Sequence, residues 1–306
     1  MPYQSAFRPG FFEGQVVIVT GGGSGIGRCV AHELASLGAT VSLVGRNLDK
    51  LQRVQAEIEA DGGNVSVHAC DIREEPQVID VIEQVLAQHG RIDGLVNNAG
   101  GQYRMPLRDV TTKGFEAVVR NNLTGGFIFM REVYTRWMEA HGGSIVNMIA
   151  DIWNGWPYYA HSGAARGGMW TLTQSVASEW APSGVRVNAV APGGIASSGL
   201  DSYEPEAQAE ILRFPTRVPM QRFGNVAEVS SAITYLLSQA SAYITGSCIR
   251  IDGGAPNARV CWGELVPHQN SQAFDGFHLE RAPELVERGQ PKAQGRRGGS
   301  AARNPG

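Results

Sequence analysis

None of the apolar runs in this 306-residue chain approaches the ~20 residues that a membrane-spanning helix needs. Residues Met1 to Gly14 lack the basic-then-apolar order of an export signal. Cysteine is scarce: Cys29, Cys70, Cys248 and Cys261 stand at spacings that suggest neither a disulfide framework nor a metal site. The expectation is buried free thiols in a reducing compartment. His68, His89, His141 and His161 likewise show no metal spacing. A formal net charge of −3 supplies no general attraction to nucleic acid or to an anionic membrane. These absences point to a soluble, cytoplasmic protein without a metal, a nucleic-acid partner or a membrane partner.

What is present is core material and glycine. Apolar residues make up 42% of the chain, and 39 residues are glycine. Short apolar runs, Val16–Val19, Thr40–Val44, Val65–Ala69, Ile92–Val96, Gly143–Ile149, Val185–Val190 and Ser247–Ile251, alternate with segments of helical periodicity. Among the latter are a helix over about Thr112–Ala140 and another over about His161–Trp180. Strand–helix alternation at this spacing predicts an α/β fold, a doubly wound parallel sheet of seven strands (Rossmann-like) in a single domain. The organisation expected is an N-terminal arm over 1–14, the domain over 15–255, a C-terminal extension over 256–286, and a tail over 287–306. The tail carries scattered basic residues and no apolar periodicity, and it is read as disordered.

The stretch Thr20-Gly-Gly-Gly-Ser-Gly-Ile-Gly27 follows the first strand and opens a helix. That context turns a weak glycine pattern into a dinucleotide-binding turn. Gly21 suits the tight turn at the strand end, Gly25 lets backbone approach a diphosphate, and Gly27 allows close helix–strand packing. Gly23, Ser24 and Ile26 complete the turn. The N–H groups and positive dipole end of the helix then face the phosphates. At the end of the second strand stands Arg46 in place of an acidic residue. A guanidinium suits a 2′-phosphate, so NADP(H) is the expected cofactor. Asp71 and Ile72, ending the third strand, are candidates for the adenine edge, with helix N-capping as the other reading of Asp71.

These residues resemble the short-chain dehydrogenase/reductase family over Gln15 to Gly254. The resemblance rests on Thr20–Gly27, on Asn97-Asn-Ala-Gly100, on Asn122 within Asn-Leu-Thr-Gly, on Arg186-Val-Asn-Ala-Val-Ala-Pro-Gly193 and on Asp252-Gly-Gly254. It implies that Asn98, Ala99 and Gly100 border the cofactor, and that Pro192, Gly193, Ile195 and Ser197 hold the nicotinamide. It also implies a catalytic-site role for Asn122 and a homodimer or homotetramer.

One departure is large. The family's Tyr-x-x-x-Lys falls on Ser162 and Arg166, and its catalytic serine on Ile149, which cannot donate a hydrogen bond. In this segment the chain resembles peroxisomal trans-2-enoyl-CoA reductases and a bacterial citronellol/citronellal dehydrogenase group. Arg166 lies one helical turn after Ser162, on the same face. It can act as an electrostatic clamp but not as a proton relay. Replacements for the missing acid are the Ser162 hydroxyl, Tyr158 or Tyr159 if the helix reaches back to them, and Asp151 if burial raises its pKa.

The function expected is therefore a small-molecule oxidoreductase using NADP(H). The leading substrate is the double bond of a 2-enoyl-CoA acyl thioester. The alternatives are an acyclic terpenoid alcohol or aldehyde, and a nucleotide-binding sensor or scaffold without turnover.

Overall fold

Each apolar run becomes a strand of one parallel sheet. The computed structural model describes residues 2–258 and 263–289. The strands are β1 (Val16–Thr20), β2 (Thr40–Gly45), β3 (Asn64–Ala69), β4 (Gly94–Asn97), β5 (Gly143–Met148), β6 (Val185–Pro192) and β9 (Cys248–Ile251). Their order across the sheet is β3-β2-β1-β4-β5-β6-β9, with every pairing parallel. The expected seven-stranded α/β sheet is thus the one found. Strand order reverses between β1 and β4, so a cleft opens beyond their carboxyl ends, where ligands of such sheets sit.

Side chains of β1 alternate between two cores, as strand geometry requires. Val17 and Val19 pack with α1 (Gly25–Ser36), α2 (Leu48–Ala60) and α9 (Val226–Leu237). Val16 and Ile18 pack with α3 (Glu75–His89), α5 (Gly125–Val133) and α7 (Ala160–Trp180) on the other face. β1 is buried at all five positions, which accounts for its unbroken valine-isoleucine run.

The segment expected as one helix over Thr112–Ala140 is interrupted. It runs as α4 (Thr112–Val119), a π-helical turn over Arg120–Thr124, α5, a second π-helical stretch over Tyr134–Met138, and α6 (Glu139–His141). The first π turn contains Asn122, and such turns often mark functional sites. Past β6, a two-stranded parallel ribbon, β7 (Ile195–Ala196) with β8 (Gly224–Asn225), frames a loop containing α8 (Pro205–Ile211).

The N-terminal arm packs on α1 through Tyr3 and the fully buried Phe12. The C-terminal extension returns to the arm, where Gln4 N–H donates to Gly276 C=O at 2.8 Å. It ends in α10 (Glu284–Gly289), which reaches into the stretch expected to be disordered. Cys261 and the remaining tail over 290–306 lie outside the described residues. Among the described residues, no helix is long and apolar enough to cross a membrane, and no group of three His, Cys, Asp or Glu could hold a metal ion.

Candidate active site

The glycine turn is built for close approach. Gly21 and Gly25 have φ of 68° and 52°, values that disfavour any side chain. A Cβ on Gly27 would lie 2.5 Å from Asn98 Nδ2 and against the Gly21 carbonyl, so only glycine lets α1 start this near β4. A Cβ on Gly25 would meet nothing closer than Ser197 at 3.8 Å, which leaves open space between the turn and the β7 loop. Ser24 is the N-cap of α1 yet makes no capping bond. First-turn N–H groups of α1 therefore remain available to an anion. Gly23 packs on α2, and Ile26 leans on the core. Thr20 Oγ1 donates to Val96 C=O at 3.1 Å and accepts from the N–H groups of Asn98 and Ala99, both at 3.0 Å. Asn98 Nδ2 donates to Thr20 C=O at 2.9 Å. The ends of β1 and β4 are thereby locked side by side.

Arg46 projects exposed from the end of β2 and has no hydrogen bond or ion pair with the described residues. Asp71 is committed elsewhere. Its carboxylate accepts from Arg73 Nε at 2.8 Å and Nη2 at 2.5 Å, and these bonds hold its pKa down to about 2. The other reading of Asp71, as the N-cap of α3, does not hold, because Glu74 occupies that position. Ile72 is a core residue; a Cβ on Gly125 would press within 2.7 Å of its side chain, so it serves packing first.

Arg166 lies on the buried face of α7. Its Nη1 donates to Met148 C=O at 2.5 Å, while its Nε has no partner. No carboxylate pairs with it, and burial alone lowers its pKa to about 10. A buried, unpaired guanidinium is costly, and an anion or polar ligand is what offsets that cost. A Cβ on Gly100 would come within 2.5 Å of both Arg166 Nη2 and Asn122 Oδ1, so this glycine is the floor on which the two side chains meet. Asn122 grips the next residue from both sides: Oδ1 accepts from Gly101 N–H at 3.0 Å and Nδ2 donates to Gly101 C=O at 2.8 Å.

Ser162 is fully buried. Its Oγ donates to Gln102 Oε1 at 2.8 Å, and Gln102 Nε2 in turn donates to the Tyr203 hydroxyl at 3.3 Å. His161, also fully buried, accepts from Ser162 N–H through Nδ1 at 2.8 Å, leaving Nε2 as a second partnerless donor on α7.

Tyr158 does not join this group. Helix α7 begins at Ala160, and Tyr158 lies outside it with φ of 67°, exposed, with Arg104 stacked 4.0 Å above its ring. Tyr159 is the N-cap residue of α7, half-buried, with its ring against Trp156 and Tyr203. Burial, then the neighbouring Tyr203, raise its pKa well above the usual phenol range. Asp151 sits past β5 with its N–H on Pro192 C=O at 3.2 Å. Burial first, and the Asp252 carboxylate second, raise its pKa, as sequence reasoning required of it. Pro192 ends β6 opposite Ile251, and a Cβ on Gly193 would lie 2.8 Å from Asp252 Cα. Ile195 is buried in the core, and Ser197 faces the glycine turn.

The turn that only glycine fits, the exposed Arg46, whose charge helps lower the Asp71 pKa, and the partnerless Arg166 Nε are each compatible with a bound dinucleotide. Gln102 and Tyr203 are the residues that sequence reasoning missed. Gln102 directly follows the Asn-Asn-Ala-Gly-Gly run and could have been suspected on that ground. Tyr203 stands in a polar stretch without any pattern.

Comparison with known proteins agrees with this geometry. A family model described as Enoyl-(Acyl carrier protein) reductase matches residues 21–256. The peroxisomal 2,4-dienoyl-CoA reductase of Danio rerio is 35% identical over 257 residues, covering 83% of this chain and 85% of that protein. The 3-oxoacyl-(acyl-carrier-protein) reductase FabG of Thermotoga maritima is 35% identical over 244 residues, covering 79% and 98%. A solved structure of the citronellol catabolism dehydrogenase AtuB of Pseudomonas aeruginosa PAO1 is 54% identical, covers 83% of this chain and 99% of its own, and superposes with a TM-score of 0.75.

Proposed function

The chain belongs to the short-chain dehydrogenase/reductase family and is an NAD(P)(H)-dependent oxidoreductase; from that premise we propose that it exchanges hydride between NADP(H) and an acyclic terpenoid alcohol or aldehyde. The observation that carries this reading is the likeness to AtuB, far above the identity with the dienoyl reductase. Bound NADP(H) supplies or takes the hydride, and the protein positions it. The α1 N–H groups bind the diphosphate, Arg46 the 2′-phosphate, and Asn122 fixes the loop carrying Gly100 and Gly101. Arg166 places its fixed positive charge beside the reacting centre, where negative charge grows.

A second reading is reduction of a 2-enoyl thioester. It is favoured by the unpaired Arg166, which suits an enolate oxygen, and by the dienoyl reductase relative. Steady-state rates decide between them: NADP⁺ reduction with citronellol and NADPH oxidation with citronellal, against NADPH oxidation with crotonyl-CoA and a 2,4-dienoyl-CoA. A kcat/KM higher for the terpenoids by about tenfold or more supports the first reading. The reverse order overturns it in favour of the second, and tight cofactor binding without turnover of any of them leaves a sensor.

The protein forms a homodimer or homotetramer through α5 and α7 in this reading. Exposed Phe127, with the half-buried Leu123 and Leu172, supplies an apolar surface there. Light scattering that gives a monomer mass at micromolar concentration would overturn it.

A further inference from the structure

We propose that Tyr203 is the proton donor to the substrate oxygen, and that Gln102 is the residue positioning it. This rests on the carbonyl–alcohol reading above, since that chemistry needs an acid at oxygen and the Tyr-x-x-x-Lys pair is absent.

The hydrogen-bond directions single out Tyr203. The Ser162 proton is engaged on Gln102 Oε1 at 2.8 Å, which fixes the amide so that its Nε2 points at Tyr203 Oη at 3.3 Å. Tyr203 Oη therefore accepts from Gln102, and its own proton is directed elsewhere. Donation into a phenol oxygen also stabilises the phenolate left after proton transfer. Tyr159, whose ring centroid is 6.3 Å from that of Tyr203, has its pKa raised by burial and then by Tyr203, so it releases its proton reluctantly. Tyr158 faces solvent under Arg104.

The loop carrying Tyr203 is tied down on its other side. The Asp201 carboxylate accepts from the N–H groups of Leu285 at 2.9 Å and Glu284 at 3.3 Å, at the start of α10, and Leu285 is buried. Tyr203 C=O accepts from Gln208 Nε2 at 2.8 Å. Gln102 thus holds the phenol through one hydrogen bond, and α10 holds the loop that carries it through Asp201.

In the reducing direction the aldehyde carbon gains the hydride that NADPH supplies, the cofactor being oxidised and the aldehyde reduced. The carbonyl π pair moves to oxygen. The Tyr203 O–H bond breaks, its proton bonds to that oxygen, and the electron pair remains on the phenolate, which regains a proton from water. Alcohol oxidation runs the same steps backwards.

The test uses the full-length enzyme with citronellal and citronellol. Tyr203→Phe is expected to lower kcat by about 100-fold or more and to abolish the pH dependence of kcat that the donor imposes. NADPH affinity by calorimetry and the thermal midpoint should stay near wild type, which separates lost chemistry from lost folding or cofactor binding. Gln102→Leu should lower kcat about tenfold with KM near wild type, and Gln102→Glu, whose carboxylate has no N–H to give Tyr203 Oη, should not restore it. Full kcat in a folded Tyr203→Phe enzyme overturns the inference. So does a pH limb that survives in Tyr203→Phe and disappears in Tyr159→Phe or Asp151→Asn. A wild-type enzyme inactive on both terpenoids overturns the carbonyl–alcohol reading itself, and the inference with it.

Discussion

Arg166 Nη1 donates to the Met148 carbonyl at 2.5 Å, and no acid answers its charge. The guanidinium is pinned to the end of β5 while its Nε is left bare. An unpaired buried cation weakens the free protein and strengthens its complex. Arg166→Met should therefore stabilise the cofactor-free enzyme by about 1–3 kcal/mol in urea unfolding. The same variant should bind NADP(H) about tenfold or more weakly in calorimetry. A destabilised free protein with undiminished cofactor affinity would show that Arg166 is structural.

Ser162 occupies the family's tyrosine position, but its proton is spent on Gln102. Ser162→Ala leaves Gln102 Oε1 without its donor. The expected result is a kcat about tenfold lower, near 1.4 kcal/mol, with cofactor affinity within about twofold of wild type. Unchanged kcat would remove Ser162 from the mechanism.

Arg46 has no hydrogen bond or ion pair of its own with the described residues. Arg46→Asp removes a charge-assisted partner of the 2′-phosphate and offers an acceptor to ribose hydroxyls. NADPH preference over NADH should fall by roughly 1.5–3 kcal/mol, or about 10- to 150-fold in the ratio of kcat/KM values. Constant selectivity would place the phosphate elsewhere.

Asn122 holds Gly101 by two hydrogen bonds inside the π-helical turn. Asn122→Ala leaves both backbone groups unpaired and should cost about 2 kcal/mol in unfolding free energy. The loop bearing Gln102 would loosen with it, so KM and kcat should both deteriorate. Wild-type stability would mean that the clamp is redundant.

Glu280 has its pKa raised to about 7 by burial and then by Asp275 and Glu228, and its Oε2 has no partner. The folded state holds this proton while the unfolded chain gives it up near 4.5. Its contribution to stability is thus complete below pH 4.5 and is lost as pH rises through about 7. Glu280→Gln should remove that part of the decline and raise the unfolding midpoint at pH 8. Parallel stability–pH curves for the two proteins would refute this.

The sequence by itself determined the parallel sheet, the glycine turn with Arg46 behind it, and the arrival of Ser162 and Arg166 one turn apart on one helix. Each of these is set by pattern along the chain: short apolar runs for strands, a four-residue reach on a helix, a turn that tolerates no side chain. It also showed what had been lost, since the Tyr-x-x-x-Lys pair is a local pattern. Local periodicity marked the helix over Thr112–Ala140, yet nothing in it announced the π turn that swings Asn122 onto Gly101. The reach of α7 was decided by the loop before it, which turns through Tyr158 with positive φ and so leaves that phenol outside. Ser162 and Gln102 are 60 residues apart in the chain, and Gln102 and Tyr203 are 101 apart. Only the tertiary structure decided that they meet, because their contact depends on where β4 and β6 end and on how the loop after β6 folds back against α10.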